Sequence, residues 1–134
     1  MVRKSLFLLN VLLALSGFLA GCGGAQNSTT APSISDLQYY PPSAMQNDGG
    51  GRVTVNAVID FQDPNGDIAT LTVNGLNGTT ITLSNMAGLT AGSLFFSFFA
   101  DTTMAGNYTL EVFVTDKDGQ TSNRLTGEFD VIGS

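Results

Sequence analysis

Apolar and polar residues alternate with a period of two along most of the chain from Ile34 to Ile132. No stretch of this region has a helical period long enough to predict a helix. The alternating runs are bounded by Gly, Asn, Asp and Pro, which favour turns. Strands are therefore predicted at 34–37, 52–61, 67–74, 79–84, 94–99, 107–115 and 121–132. About seven short strands at this spacing are typical of an antiparallel β-sandwich.

The alternation also predicts which side chains fill the core of that sandwich. The predicted inward positions are Val53, Val55, Ala57, Ile59 and Phe61; Ala69, Leu71 and Val73; Ile81 and Leu83; Tyr108, Leu110, Val112 and Val114; and Leu125, Gly127, Phe129 and Val131. Because the chain has one cysteine, it forms no internal disulfide. The apolar faces alone therefore have to stabilise the all-β fold.

A short motif indicates which kind of sandwich this is. Residues 105–110 read Ala-Gly-Asn-Tyr-Thr-Leu. This segment resembles the tyrosine corner of immunoglobulin-like (Ig-like) domains, in which a tyrosine at the start of strand F hydrogen-bonds to the chain upstream. Leu110 stands where antibody domains have a cysteine, and the chain has no tryptophan. The resemblance is thus to bacterial Ig-like and cadherin-like modules, and it implies an Ig-like sandwich over residues 34–134.

Residues 1–22 have the layout of an export signal. Two basic residues precede an apolar run over residues 6–20, which would extend about 22 Å as a helix, short of the ~30 Å hydrocarbon core of a membrane. The run ends in Leu-Ala-Gly-Cys at residues 19–22, which resembles the lipobox of bacterial lipoproteins. The resemblance implies cleavage before Cys22 and a covalent lipid on its thiol. An uncleaved anchor or an ordinary signal peptide is the alternative.

These features divide the chain into a lipoprotein signal peptide (1–21), an acylated cysteine with a flexible polar tether (22–33) and the sandwich (34–134). The residue after Cys22 is Gly23 and not the aspartate that favours retention in the inner membrane of Gram-negative bacteria. We therefore expect anchoring in the outer membrane rather than the inner. Removal of the signal peptide leaves three basic against 11 acidic residues, a charge of −8. Such an acidic body repels nucleic acid, and no nucleic-acid partner is expected.

Composition excludes several classes of enzyme. The chain has no histidine, so it has no histidine general base and no histidine-ligated metal, and acylation would consume its one thiol. Paired carboxylates would suffice for glycoside hydrolysis, but the acidic residues lie mostly in predicted turns, and a small sandwich offers no deep cleft. The sequence therefore does not predict an enzyme.

Two acidic turns form the first candidate site. The B–C and F–G loops of an Ig-like domain lie at the same end of the sandwich, which would bring Asp63, Asn65, Asp67, Asp116 and Asp118 together. Since calcium takes six to eight oxygen ligands, one hypothesis is a Ca²⁺ site built from these residues. The alternative is that Asp, Asn and Gly build the turns through local hydrogen bonds and positive φ angles. We favour the turns, because this chemistry explains every residue.

The predicted strand at 94–99 provides the second candidate site, because it has phenylalanines on both faces. One face has to enter the core, whereas the other, with Phe113, would form an exposed apolar patch of the kind that often marks a partner site. The candidate patch residues are Phe95, Phe96, Phe98, Phe99 and Phe113. Monomers rarely leave large apolar patches bare, so we expect a loop, such as residues 39–51, to cover the outward side chains.

The sequence thus predicts a lipid-anchored protein of the bacterial cell envelope. Its Ig-like domain is expected to bind or support another envelope or extracellular protein, whose identity the sequence does not give. The alternative is a calcium-dependent adhesion or matrix module that uses the acidic loops. Apart from the lipid on Cys22 and this possible Ca²⁺, no cofactor is expected.

Overall fold

The computed structural model describes residues 30–76 and 78–134, so the predicted export signal, Cys22 and most of the predicted tether lie outside the described residues. The strands are β1 (Ser33–Tyr40), β2 (Ser43–Met45), β3 (Arg52–Gln62), β4 (Ile68–Asn74), β5 (Thr79–Thr82), β6 (Ala91–Asp101), β7 (Gly106–Asp116) and β8 (Leu125–Ile132). Within the described ranges, no helix is long and apolar enough to cross a membrane.

The strands form two sheets. The three-stranded sheet has the order β1-β3-β6, and the five-stranded sheet has the order β2-β8-β7-β4-β5. All neighbouring strands are antiparallel except β2, which pairs in parallel with β8. This is the order of an Ig-like sandwich, with β1, β3 and β6 as strands A, B and E and with β8, β7, β4 and β5 as strands G, F, C and C′. The predicted all-β, Ig-like fold is confirmed.

The core lies between the two sheets and includes most of the inward positions that the alternation predicts. Along β3, for example, Val55 and Ile59 are fully buried, while Thr54 and Asn56, on either side of Val55, face solvent. The buried apolar residues are Ile34, Val55, Ala57, Ile59, Phe61, Ile68, Leu71, Val73, Leu76, Met86, Leu94, Phe96, Phe98, Ala100, Leu110, Val112, Val114, Phe129 and Val131. The half-buried Val53, Ile81, Leu83, Tyr108 and Leu125 pack against them.

One predicted face is wrong at the start of β4. The alternation places Ala69 in the core with Leu71 and Val73, but the buried residue at this end is Ile68, and Ala69 is only half-buried. The register between β4 and β7 shifts between Ile68 and Thr70. This bulge inserts one extra residue and thereby reverses the facing of the strand before it.

Tyrosine side chains fix both sides of the sandwich. The Tyr108 hydroxyl donates a hydrogen bond of 2.9 Å to the Met104 carbonyl, so the tyrosine corner is confirmed. On the other side, the Tyr39 hydroxyl donates to the Glu128 carbonyl at 2.6 Å and accepts from the Glu128 N–H at 2.8 Å. These two bonds join β1 of one sheet to β8 of the other.

Candidate functional site

The two acidic loops meet at one end of the sandwich. The Lys117 N–H donates to the Asp67 carbonyl at 3.1 Å, and Ile68 is paired with Asp116 across the sheet. The chain also enters the domain here, because the Asn65 side-chain amide donates to the Thr30 carbonyl at 3.3 Å. We call this end of the molecule the acidic pole. The predicted N-terminal tether would therefore leave the domain beside the acidic loops.

Two of the five candidate calcium ligands have turn roles. The buried Asp63 carboxylate accepts backbone N–H bonds from Asn65 at 3.2 Å, Asp67 at 2.7 Å and Ile68 at 3.1 Å. The Asp116 carboxylate accepts the Gln120 N–H through Oδ1 at 2.8 Å. Side-chain acceptors of this kind hold a turn by satisfying its backbone donors.

The remaining oxygens of the acidic pole are less well satisfied. Asp67 Oδ1 and Asp116 Oδ2 are buried and have no hydrogen-bond partner among the described residues. Burial, the charges of Asp63, Asp116 and Asp118, and a hydrogen bond with the Asp63 side chain raise the pKa of Asp67 above its ordinary value of 3.8. Nevertheless, the described residues contain no group of three or more Asp, Glu, His or Cys side chains arranged to hold a metal ion.

The five candidate phenylalanines do not form one patch. Phe96 and Phe98 are 8% and 3% exposed and belong to the core, where their rings stack at 6.3 Å. Phe113 lies on the outward side of the five-stranded sheet, on the opposite side of the molecule from the outward face of β6. There the Arg124 guanidinium covers its ring at 4.4 Å and pairs with Glu111. The predicted membership of Phe96, Phe98 and Phe113 in an exposed patch is therefore wrong.

Phe95 and Phe99 do remain exposed, at 81% and 57%. They lie on the outward side of the three-stranded sheet, where Phe95 is paired with Val58 of β3. Tyr40 of β1, at 75% exposure, flanks them across the sheet. We call the outward side of β1, β3 and β6 around these residues the aromatic face. The prediction that residues 39–51 cover these rings is wrong, because β2 turns away to pair with β8.

The aromatic face contains a shallow pocket of about 290 Å³ between β1 and Phe95. Its lining residues are Gln38, Tyr39, Tyr40, Asn56, Ala57, Val58 and Phe95. Towards Phe99, the Ser97 hydroxyl donates to Asn56 Oδ1 at 2.8 Å. Asn56 was not predicted at this site from the sequence, and Tyr40 was predicted only as part of a covering loop. The strand register brings them there, and register depends on pairing between strands that are distant in the sequence.

A second, polar groove of about 580 Å³ crosses the same sheet at its end near the acidic pole. Its walls are the paired ends of β1, β3 and β6, with Asp36 and Asp60 as the charged lining residues. Asp60 accepts a hydrogen bond of 2.6 Å from the Ser93 hydroxyl. The outward side of this sheet therefore changes from acidic and polar at one end to aromatic further along.

Comparisons with solved structures find similar folds at low sequence identity. The PKD domain of an M14-like peptidase from Thermoplasmatales archaeon SCGC AB-540-F20 is 20% identical, with a TM-score of 0.49 over 76% of this chain and 93% of that domain. A Niemann-Pick type C2 protein from Japanese carpenter ant is 8% identical, with a TM-score of 0.47 over 78% and 96%. The PKD1 domain of Vibrio anguillarum Epp is 22% identical, with a TM-score of 0.43 over 78% and 98%.

No family model matches the chain, and no curated protein is significantly similar to it in sequence.

Proposed function

We propose that this chain is a lipid-anchored protein of the bacterial cell envelope whose Ig-like domain binds another envelope or extracellular protein through the aromatic face. The observation that supports binding is the exposure of Phe95 and Phe99, at 81% and 57%, on a regular strand. Leaving apolar rings in water is unfavourable by about 25 cal/mol per Å² of apolar surface, so a partner that covers them gains free energy.

The composition of the aromatic face is suited to a protein partner. Exposed aromatic rings are enriched at the centres of protein interfaces, and polar groups typically surround them. Here Tyr40, Phe95 and Phe99 supply the rings, while the bonded Ser97 and Asn56 side chains supply polar groups among them. None of the described residues that line the pocket beside Phe95 is charged, so a partner need not desolvate an unpaired charge there.

An affinity pull-down with paired variants tests this function. The double variant Phe95→Ser, Phe99→Ser is expected to lose the partner, because both changes remove apolar rings without touching the core. Met104→Ser is the matched control, since Met104 is 69% exposed and lies outside the aromatic face. A partner that binds the double variant as well as it binds the wild-type chain would contradict the proposal.

The anchor is the second component of the proposed function, and it is supported by the Leu-Ala-Gly-Cys motif at residues 19–22. Two or more acyl chains hold a protein on a membrane far more firmly than one. Intact-mass analysis of the membrane fraction should show a chain that begins at Cys22 and has added lipid mass. The Cys22→Ser variant should retain its full leader or leave the membrane fraction. An unmodified thiol on a chain with residues 1–21 still attached would contradict the anchor.

A second candidate function is calcium-dependent adhesion through the acidic pole. The two buried, unpartnered oxygens, Asp67 Oδ1 and Asp116 Oδ2, favour it, because a cation would satisfy both. Calcium needs six to eight oxygens at 2.3–2.6 Å, so water and the Asp118 carboxylate would have to complete the shell. Because no preformed ligand group is present among the described residues, binding would require the two loops to close around the ion.

Thermal unfolding with and without Ca²⁺ decides between the two candidates. If the pole binds calcium, millimolar Ca²⁺ raises the melting temperature of the wild-type chain and has no effect on Asp67→Asn. Glu128→Gln, which removes an exposed carboxylate on β8, should keep the calcium response. A wild-type melting temperature that Ca²⁺ does not change would rule out the calcium function. If partner pull-down also persists in EDTA, the aromatic face remains as the binding site.

A further inference from the structure

The four edges of the two described sheets differ in how readily they can accept another strand. β2 and β5, the edges of the five-stranded sheet, have three and four residues. β1 has eight residues, but its pairing with β3 is interrupted between Ser35 and Gln38, where Asp36 has a φ of 54°. Short strands, bulges and charges are the usual protection of sheet edges against pairing with other chains. Three of the four edges therefore have such protection.

β6 is the exception. It has 11 residues, and its pairing with β3 runs without a shift from Ala91 to Asp101. The strand contains no proline, lysine or arginine, and its one charged residue is Asp101 at the end. Outside the strand pairs, none of the backbone hydrogen bonds between described residues involves residues 92–100. The outer edge of β6 thus presents a long row of backbone donors and acceptors next to exposed aromatic rings.

The sequence of β6 is symmetric about Ser97, with Phe-Phe on either side. In an antiparallel pair of two β6 strands centred on Ser97, Phe95 would face Phe99 of the second copy, and Phe96 would face Phe98. The two residues of each pair lie on the same side of the joined sheet. Phe95 and Phe99 would therefore contact on its outward face, and Phe96 and Phe98 on its inward face. Asp101 would face Ser93, so no carboxylates would oppose each other within the pair.

We infer that this protein forms a two-fold symmetric dimer in which the β6 edges of two copies pair in antiparallel orientation, with Ser97 at the axis. The two three-stranded sheets become one six-stranded sheet with the order β1-β3-β6-β6-β3-β1. The aromatic face of each copy continues into that of the other, with Phe95 and Phe99 of both copies around the axis. The dimer does not require the proposed protein partner, because backbone pairing along the β6 edges would hold it together.

The second sheet leaves room for this pairing. Ile81 of β5 pairs with Leu71, which lies three residues after the start of β4 at the acidic pole. Ile81 is therefore about 10 Å from this pole. Ser97 is six residues into β6, or about 20 Å from the same end. Rotation about an axis at Ser97 therefore moves β5 of the second copy to the opposite half of the dimer. The two β5 strands pass each other instead of colliding.

A second copy is a better occupant of this edge than the chain's own N-terminal segment. Residues 23–29 are Gly-Gly-Ala-Gln-Asn-Ser-Thr, which offer no apolar side chain large enough to cover a phenylalanine. One strand edge buries less area than the ~1,600 Å² of a standard interface, so the dimer should exchange with the monomer. Covalent trapping is therefore the appropriate measurement.

Cysteine scanning of the purified full-length chain in detergent tests the dimer and its register. Ser97→Cys places two thiols at the axis, and a short bis-maleimide should link them. Ser93→Cys is the matched control on the same strand and the same outward side, because the register separates its two copies by about 27 Å. The wild-type chain measures any linkage through Cys22. Unfolding curves establish that both variants fold.

The expected result is a linked dimer for Ser97→Cys and none for Ser93→Cys or the wild-type chain. Adding Phe95→Lys to Ser97→Cys should abolish the link, whereas adding Thr126→Lys, on the outward side of β8, should not. Linkage through Ser93→Cys would show a different register and overturn the inference. A folded Ser97→Cys chain that gives no linked dimer would overturn it as well.

Discussion

Asp63 and Asp67 are four residues apart in one loop, yet their carboxylates have different surroundings. Asp63 accepts three backbone N–H bonds and is fully buried as part of the turn. Asp67 has a buried oxygen without a partner and lies among the charges of Asp63, Asp116 and Asp118. The two residues therefore differ in their contribution to stability: the first holds the loop, and the second opposes its neighbours.

Replacing Asp67 tests this difference. Because the pKa of Asp67 is raised in the folded state, the native protein binds its proton more tightly than the unfolded chain does. The resulting stability is present below pH 3.8 and is lost as the pH rises through the raised pKa. Asp67→Asn should thus be more stable than the wild-type chain at pH 7, by roughly 0.5 kcal/mol, the scale of interactions between partly exposed charges.

Chemical unfolding of both chains between pH 3 and pH 8 is the measurement. The advantage of Asp67→Asn should grow from about pH 4 towards neutral pH, while Glu128→Gln should follow the wild-type profile. The stability advantage of Asp67→Asn could instead be the same at every pH, or the variant could be less stable than the wild-type chain at pH 7. Either result would mean that charge repulsion at Asp67 does not destabilise the native protein.

Gly75 lies where the turn after β4 comes close to the backbone of Thr109 in β7. Its φ is +83°, and an added Cβ would overlap the carbonyl oxygen of Thr109. Gly119 is a matched control, because its φ is +84° and an added Cβ meets nothing within 4 Å. Gly119→Ala should lose about 1–2 kcal/mol for the left-handed conformation alone. Gly75→Ala should lose at least about 2 kcal/mol more, because the backbone has to move.

Urea unfolding of the two glycine variants separates these costs. Equal losses would show that the turn after β4 shifts without strain and that the approach to Thr109 is not tight.

At the scale of elements, alternation was enough to predict seven of the eight strands that the described residues form, and most of their inward faces. It failed at β2, which has three residues and follows two prolines, so no alternation is visible. It also misplaced Ala69, because a bulge is a property of two paired strands and not of one. Phe113 was assigned to the wrong surface for a different reason. Alternation predicts the face of a strand but not the sheet to which the strand belongs.

The joint between β1 and β8 is an element-scale feature that a single atom tests. Tyr39→Phe removes the hydroxyl that both donates to and accepts from the backbone of Glu128. The expected loss is about 1 kcal/mol in the free energy of unfolding, the usual net value of such bonds. Tyr40→Phe is the control, since Tyr40 is the next residue and is 75% exposed.

Denaturant unfolding of the two tyrosine variants checks the joint. If Tyr39→Phe and Tyr40→Phe are equally stable, the Tyr39 hydroxyl does not contribute to joining the sheets.

At the scale of the whole molecule, the acidic pole and the aromatic face lie at separate places. The chain enters at the acidic pole, beside Asn65, whereas the aromatic rings lie along the outward side of the three-stranded sheet. An anchor at the pole would therefore leave the aromatic face open to a partner. In the inferred dimer, the two poles lie at opposite ends, so the two tethers would leave in opposite directions.

The most direct test of the proposed function is photo-crosslinking in intact cells. A photoreactive amino acid replaces Phe95 on the aromatic face, or Thr126 on the outward side of β8, and the linked products are identified by mass spectrometry. We predict that position 95 links to a defined envelope or extracellular protein and that position 126 does not. Products that are the same from both positions, or that contain only lipid and peptidoglycan, would contradict a binding role for the aromatic face.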